Sequence, residues 1–268
     1  MAELQGGFIF MIKEISDYNI EEAKKILDDH IVPEVTQESA LESLLFCISS
    51  QVSLWEASVK FIRNLRLASY PKDQFSINRI ANFDVLTNKS MVNEAARIGG
   101  LRFSKHGRFE SSIDYFVNEN NEWWRDIPNA DVDLREEYVK KIKWLGIKTF
   151  SLWHICLGGK NLLALDVWVM KGLNNLGIEI NPHYIIPRKR NGNSKQKVRS
   201  SPEKEDYLRI EQEAYRLFLQ DKRFLLPNGK VDVALVDTVL WWNGANRGNL
   251  YQYNLFNIGS TLPYQKKY

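Results

Sequence analysis

The sequence predicts an all-α protein, and three observations predict it. Apolar residues recur every three or four positions in segment after segment, the repeat of a helix that buries one face. No segment sustains the strict alternation of a half-buried strand, and there is no internal repeat. Ser, Asp and Asn precede several apolar runs and glycines follow others, as helix caps do. Together these give about ten short helices with short connections.

Residues 16–29, SDYNIEEAKKILDD, open on a Ser/Asp cap and carry apolar residues at helical spacing. Residues 38–67 read as two helices. In the first, Ala40, Leu44, Leu45, Cys47 and Ile48 make a face wide enough to be buried on most sides. Ser49, Ser50 and Gln51 form a small polar step. The second helix runs from about Ser53 to Leu67 with Trp55, Val59 and Ile62 inward. The segment 71–90, with Pro71, Asn78 and Asn82, mixes loop with a short helix. Residues 90–101 end in Ile98-Gly99-Gly100-Leu101, a helix stop followed by a restart. Residues 103–118 turn Phe103, Phe109, Ile113 and Phe116 inward, with Arg102, Lys105 and Arg108 nearby. Residues 133–143 start another helix on Leu134, Val139 and Ile142. From Asn181 to Lys204 the character changes to an exposed, mobile loop, most basic over 188–199 and broken by Pro, Gly, Asn and Ser. Helical pattern returns at 205–220, Asn228-Gly229 is a turn, 231–242 form the last helix, and 243–268 read as irregular.

The composition narrows the function classes. A chain of 268 residues can bury one large core or two lobes. A net charge of +3 and a pI near 8.7 permit nucleic-acid binding without arguing for it. Cys47 and Cys156 lie in apolar runs and are expected as buried thiols; two cysteines cannot build a four-cysteine zinc or iron–sulfur site. His30, His106, His154 and His183 are scattered without metal-ligand spacing, so no metal or cofactor is expected. No run approaches the roughly 20 apolar residues of a membrane span, and MAELQGGFIFMIKEI has no cationic lead-in of a signal peptide. A soluble intracellular protein is expected, with no membrane partner.

One stretch stands apart: Lys143 to Met170, KWLGIKTFSLWHICLGGKNLLALDVWVM. Gly146 is expected to allow a tight turn, with a helix restarting at Lys148 and stopping at Gly158-Gly159. Helix, hairpin and helix in that order expose backbone N–H groups beside a helix N-terminus, which favours a phosphate. An amine that gives up its proton there is a nucleophile able to form a Schiff base. Asp166, eighteen residues after Lys148, is the one acid of the stretch and is flanked by apolar residues. Each has a plain alternative: Lys148 as a surface lysine, Asp166 as the N-cap of a helix over 167–175.

Taken together, the hairpin, the Gly-x-Lys step and the apolar-flanked aspartate eighteen residues later resemble the helix-hairpin-helix glycosylases. Endonuclease III and the 8-oxoguanine DNA glycosylases belong to that superfamily, and the archaeal 8-oxoguanine enzymes are the most similar. The resemblance implies two helical lobes, residues 38–160 carrying the hairpin and residues 1–37 with 161–268 forming the second, with the active site in the cleft between them. It implies that Lys148 attacks the anomeric carbon of a flipped nucleotide while Asp166 stabilises the positive charge of the sugar. LLFCISSQVS (44–53) resembles the family's Ser-x-Gln step and makes Gln51 the residue that fills the gap left by the base. IGGLRFSKHGR (98–108) resembles a segment lying near the DNA backbone, so Lys105 and Arg108, with Lys143 and Gly146 of the hairpin, would meet the strand. LVDTVLWWNG (235–244) resembles the segment that holds the base, which points to Asp237 and Trp241, four apart on one helix face. Trp55, Trp241 and Trp242 are candidates to stack on an extruded base.

Two departures are plain. The usual hairpin reads Leu-Pro-Gly-Val-Gly, and Trp144 here takes the place of its first glycine. The cysteines that hold the iron–sulfur cluster of endonuclease III are missing, which points away from the pyrimidine-damage subgroup. The implied function is a monomeric, bifunctional DNA glycosylase with β-lyase activity on duplex DNA carrying a damaged base, 8-oxoguanine first. Such an enzyme would work in base excision repair, in a prokaryotic cytoplasm or nucleoid or in a nucleus. Two other readings stay open: a helix-hairpin-helix DNA-binding module without chemistry, and a monofunctional glycosylase for alkylated or mismatched bases.

Overall fold

The structure is a computed structural model that describes residues 15–51, 55–70, 79–101, 106–119, 122–185 and 201–245. Lys105, the side chain of Trp55, the basic segment 188–199 and the tail from 246 lie outside the described residues. The described residues are all-α, as the periodicity requires, with one isolated antiparallel bridge between Leu225 and Val231. In chain order the α-helices are α1 (Asp17–His30), α2 (Gln37–Ser50), α3 (Trp55–Ser69), α4 (Phe83–Thr87), α5 (Lys89–Ile98), α6 (His106–Asn118), α7 (Val132–Lys141), α8 (Ile147–Cys156), α9 (Val167–Asn175), α10 (Pro182–Ile185), α11 (Lys204–Phe218) and α12 (Val233–Ala245). None is long and apolar enough to cross a membrane.

Three elements depart from the sequence pattern. Asn88 caps α5 by accepting from the Met91 N–H at 3.1 Å, so that helix starts earlier than residue 90. Trp123–Asn129 form a 3-10 helix that apolar spacing does not announce, because Pro128 and the run Trp123-Trp124 fit no 3.6 period. The stretch expected as a loop from Asn181 begins as α10, because the Asn181 carboxamide accepts from the His183 N–H at 3.0 Å.

The residues fall into two compact units. Among the described residues, one is 28–159 and the other joins 15–27 with 160–245. The first is built around α2. Thr36 caps it in a reciprocal box with Ser39, each side chain bonding the other's backbone N–H. From Ser39 to Ser49 every residue of α2 is buried. A helix apolar all round needs cover on every side, and α3, α4, α6 and α8 supply it. Gly99 lets α5 end against the α3 backbone; a Cβ there would stand 3.0 Å from the Phe61 nitrogen. Trp123, Phe116, Phe150, Trp153 and Tyr138 form an aromatic cluster, anchored by the Trp153 indole N–H donating to the Ala40 carbonyl at 2.9 Å.

One acid interrupts the α2 core. Glu42 is 2% exposed, and its carboxylate takes a forked contact from Arg66 of α3, itself fully buried, at 2.5–3.2 Å. The second carboxylate oxygen accepts from the Ala81 N–H at 2.8 Å. His154 is another core polar group. Its Nδ1 donates to the Ile127 carbonyl at 2.6 Å, and Gly159 lies so close over the ring that a Cβ would come within 2.1 Å.

In the other unit α12 is apolar on all sides and packs on α9, where Gly172 admits Leu240. Asp232 caps α12 through the Leu235 N–H at 3.0 Å and pairs with Lys160 at 2.9 Å. Arg223 bonds both Asp221 and Asp17, tying the start of α1 to this unit.

The buried Glu42–Arg66 pair gives a first test. Glu42→Ala leaves the Arg66 charge and the Ala81 N–H without their acceptor, and is expected to cost about 3–5 kcal/mol. Denaturant unfolding measures it. The double change Glu42→Leu with Arg66→Met is expected to recover most of that loss, which an ion pair essential to the fold would not allow.

Candidate active site

The hairpin joins α7 to α8. α7 ends where the Ile142 N–H bonds the Tyr138 carbonyl, and the Leu145 N–H then closes a tight turn on the Ile142 carbonyl at 3.1 Å. Ile142 and Leu145 point into the core, and Lys143, Trp144 and Gly146 face outward. The turn does not use its glycine as the sequence suggests. Gly146 has φ −97° and ψ 164°, extended backbone that any residue adopts, and a Cβ there would meet nothing within 4 Å. The left-handed residue is Trp144, with φ 73°, the one non-glycine of positive φ among the described residues. Holding a bulky residue there costs on the order of 1–3 kcal/mol. Gly146 is also the N-cap of α8 and supplies no capping side chain. The first amides of α8 therefore lack the usual side-chain acceptor.

Lys148 sits in the first turn of α8, half-buried, followed by the buried Thr149 and Phe150. Its charge reaches Cys47 of α2. Burial pushes the Cys47 thiol well up, its contact with Cys156 adds to that, and the Lys148 ammonium acts in the opposite direction. The two sulfurs are 4.0 Å apart, both free thiols as the sequence suggested.

Gln51, at the C-terminal end of α2, reaches the same helix start. Its Nε2 donates to the Thr149 hydroxyl, and its Oε1 accepts from Arg108 Nη1 of α6 at 2.5 Å. The Arg108 guanidinium and the Lys143 ammonium each stand 5.6 Å from the centre of the Trp144 ring. Gln51, Arg108, Lys143, Gly146 and Lys148 thus gather at one end of α8. Sequence reasoning missed Thr149 as the residue that holds Gln51; its position beside Lys148 was the available signal.

Asp166 lies in the other unit. Residues 162–165 are buried outside any helix or strand, and side chains accept the amides of 163–165. The Leu163 N–H donates to Glu211 at 2.8 Å, Ala164 N–H to Asp237 at 2.9 Å, and Leu165 N–H to the Tyr207 hydroxyl at 3.0 Å. The Tyr207 hydroxyl in turn donates to the Leu163 carbonyl at 2.6 Å. The chain then enters α9, where one Asp166 oxygen accepts from both the Trp168 and Val169 N–H groups at 2.8 Å. Asp166 is therefore the helix cap, half-buried, with its negative charge at the positive end of α9.

Asp237, expected in a base pocket, is buried and holds Ala164, two residues before Asp166. Trp241 is half-buried and Trp242 buried on the same helix. Trp55 opens α3, its side chain outside the described residues, as is Lys105. Tyr207 and Glu211 went unnoticed in the sequence. The signal was Glu211 on the inward face of α11, in helical register with Tyr207, Ile210 and Ala214. Among the described residues no three His, Cys, Asp or Glu side chains gather as a metal site would need.

The cap can be separated from the charge. Asp166→Ala is expected to lose about 0.5–2 kcal/mol of stability and Asp166→Asn much less, because Asn caps as well as Asp. Equal losses in urea unfolding would show that the charge, not the cap, holds the start of α9.

No family model matches the sequence, and no curated protein sequence matches it significantly. Solved structures do match. The 8-oxoguanine DNA glycosylase of Thermotoga maritima is 17% identical with a TM-score of 0.53, over 88% of this chain and 96% of that one. The 8-oxoguanine DNA glycosylase of Methanocaldococcus jannaschii is 16% identical with a TM-score of 0.53, over 88% of this chain and 94% of its own. The M. jannaschii glycosylase/lyase in complex with a 15mer DNA containing 8-oxoguanine matches at 16% identity and a TM-score of 0.53, over 91% and 98% of the two chains. The chain has the all-helical fold of the 8-oxoguanine DNA glycosylases.

Proposed function

We propose that the protein is a bifunctional DNA glycosylase/AP lyase that excises oxidised purine, 8-oxoguanine first, from duplex DNA in base excision repair. The observation that carries this reading is the pairing of two local geometries on this fold. Lys148 stands in the first turn of an uncapped helix behind a hairpin, and Asp166 is clamped by two amides at another helix start. The solved relatives named for 8-oxoguanine support the substrate class.

In this reading the duplex is bent and the damaged nucleotide is turned out of the stack. The deprotonated Lys148 Nζ attacks C1′, and the C1′–N bond breaks as its electrons leave with the base, which takes up a proton. Opening of the sugar ring gives the Schiff base. Loss of a C2′ proton then expels the 3′ phosphate by β-elimination, and water later releases the lysine. The Asp166 carboxylate stabilises the positive charge that develops on the sugar and assists the lysine in losing its proton. The α8 amides and the open space beside Gly146 suit a backbone phosphate, with Arg108 and Lys143 adding charge. Gln51, already within reach of Lys148's neighbour Thr149, is assigned to the gap left by the base. Asp237 is assigned to the support of the 162–165 segment as well as to the base, with Trp241 and Trp55 as aromatic partners.

Borohydride reduction in the presence of a duplex containing one 8-oxoguanine is expected to trap a covalent protein–DNA complex. Lys148→Gln is expected to trap none, and Asp166→Asn to slow turnover by about 10²-fold or more while lesion binding stays within a few-fold. Base release without strand cleavage or trapping would point to a monofunctional enzyme. Binding without either product would reduce the protein to a DNA-binding module.

A further inference from the structure

Trp144 is 54% exposed, whereas Trp123, Trp124, Trp153 and Trp242 are all buried. Nothing in the fold asks for an indole at the tip of this hairpin. Its φ of 73° is a conformation that glycine adopts without strain, and its turn neighbours Ile142 and Leu145 already fill the core beneath it. The residue is held in an unfavourable backbone region and is more than half exposed to solvent. Two cations flank it among the described residues. Arg108 is held in place by Gln51, and both Arg108 and Lys143 stand 5.6 Å from the ring centre, the outer part of the cation–π range.

Among the described residues, an exposed ring flanked by two cations is a poor protein-docking surface, which needs a contiguous apolar patch of several hundred square ångströms. It is the chemistry of a nucleotide strand with an exposed base: a flat π-face to stack on and positive charge for the flanking phosphates. A fully paired duplex hides its base faces, so an unpaired nucleotide is the fitting occupant. We propose that Trp144 is a stacking platform for an unpaired nucleobase of DNA, with Arg108 and Lys143 gripping the phosphates on either side. This rests on the DNA-binding reading and deepens it: the hairpin holds a base as well as backbone, so the protein prefers DNA with an unpaired stretch over a fully paired duplex.

The test is binding by fluorescence anisotropy at one salt concentration. The probes are an oligothymidylate, an abasic oligomer of the same length and charge, and a blunt duplex. The wild-type chain is expected to bind oligothymidylate roughly ten-fold more tightly than the abasic strand, the usual gain for one stacked base. It is also expected to bind oligothymidylate more tightly than the blunt duplex. Trp144→Gly is expected to abolish the base-dependent gain while leaving affinity for the abasic strand and its salt dependence unchanged. Trp144→Phe is expected to keep most of the gain. Thermal unfolding of Trp144→Gly at or above the wild-type midpoint would show that the fold is intact, since glycine relieves the left-handed strain. If Trp144→Gly keeps the preference for oligothymidylate, or weakens both strands equally, the platform is overturned while lesion trapping by Lys148 can still stand. If the wild-type chain binds none of the three probes, the DNA reading falls and the platform with it.

Discussion

The burial of α2 on every side is the constraint from which the hairpin-bearing unit follows. A helix with no solvent face must be wrapped, and α3, α4, α6 and α8 pack around it. The wrapping dictates the rest. Glu42 cannot be hydrated, so it needs the fully buried Arg66 and an amide from Ala81. Cys47 meets Cys156 and comes under the influence of Lys148. Where α2 leaves the core, at the polar step after Ile48, Gln51 emerges beside Thr149 and Arg108. That polar cluster is thus an edge of the core.

The other unit solves a different problem. Its segment 162–165 is buried outside any helix or strand, and buried amides need acceptors. Glu211, Tyr207 and Asp237 supply them, so the chain arrives at Asp166 along a line fixed residue by residue. In the proposed reaction the Asp166 carboxylate would present its charge from such a rigid support. The two N–H groups that Asp166 accepts orient the carboxylate while fixing the first turn of α9.

The two units differ in where they carry strain. Around Asp166 the local choices agree: a good cap, satisfied amides and well-filled apolar positions. At the hairpin they conflict, because a bulky residue occupies left-handed backbone with its ring in solvent. Folding alone would favour glycine at that place. Such local disagreements concentrate at functional sites.

The sequence by itself determined the helical class, because the 3.6-residue repeat of α1, α3, α6 and α11 leaves no other use for those apolar residues. It also singled out Lys148 and Asp166, since an amine and an acid inside apolar runs need a reason, and it placed Asp166 as a cap. Gly146 was misread: glycine signals a turn in sequence, but only the backbone shows which residue takes the positive φ. The 3-10 helix at Trp123–Asn129 and the short helix α10 escaped notice because short, local hydrogen bonding, not periodicity, makes them. Glu211, Tyr207 and Thr149 were beyond reach for a further reason. Their roles are set by what lies opposite them, 42 to 98 residues away in the chain, and that pairing exists only once α11 packs beside the 162–165 segment and α2 beside α8. Local pattern encodes helices and caps; which side chain receives which buried amide is decided by tertiary packing.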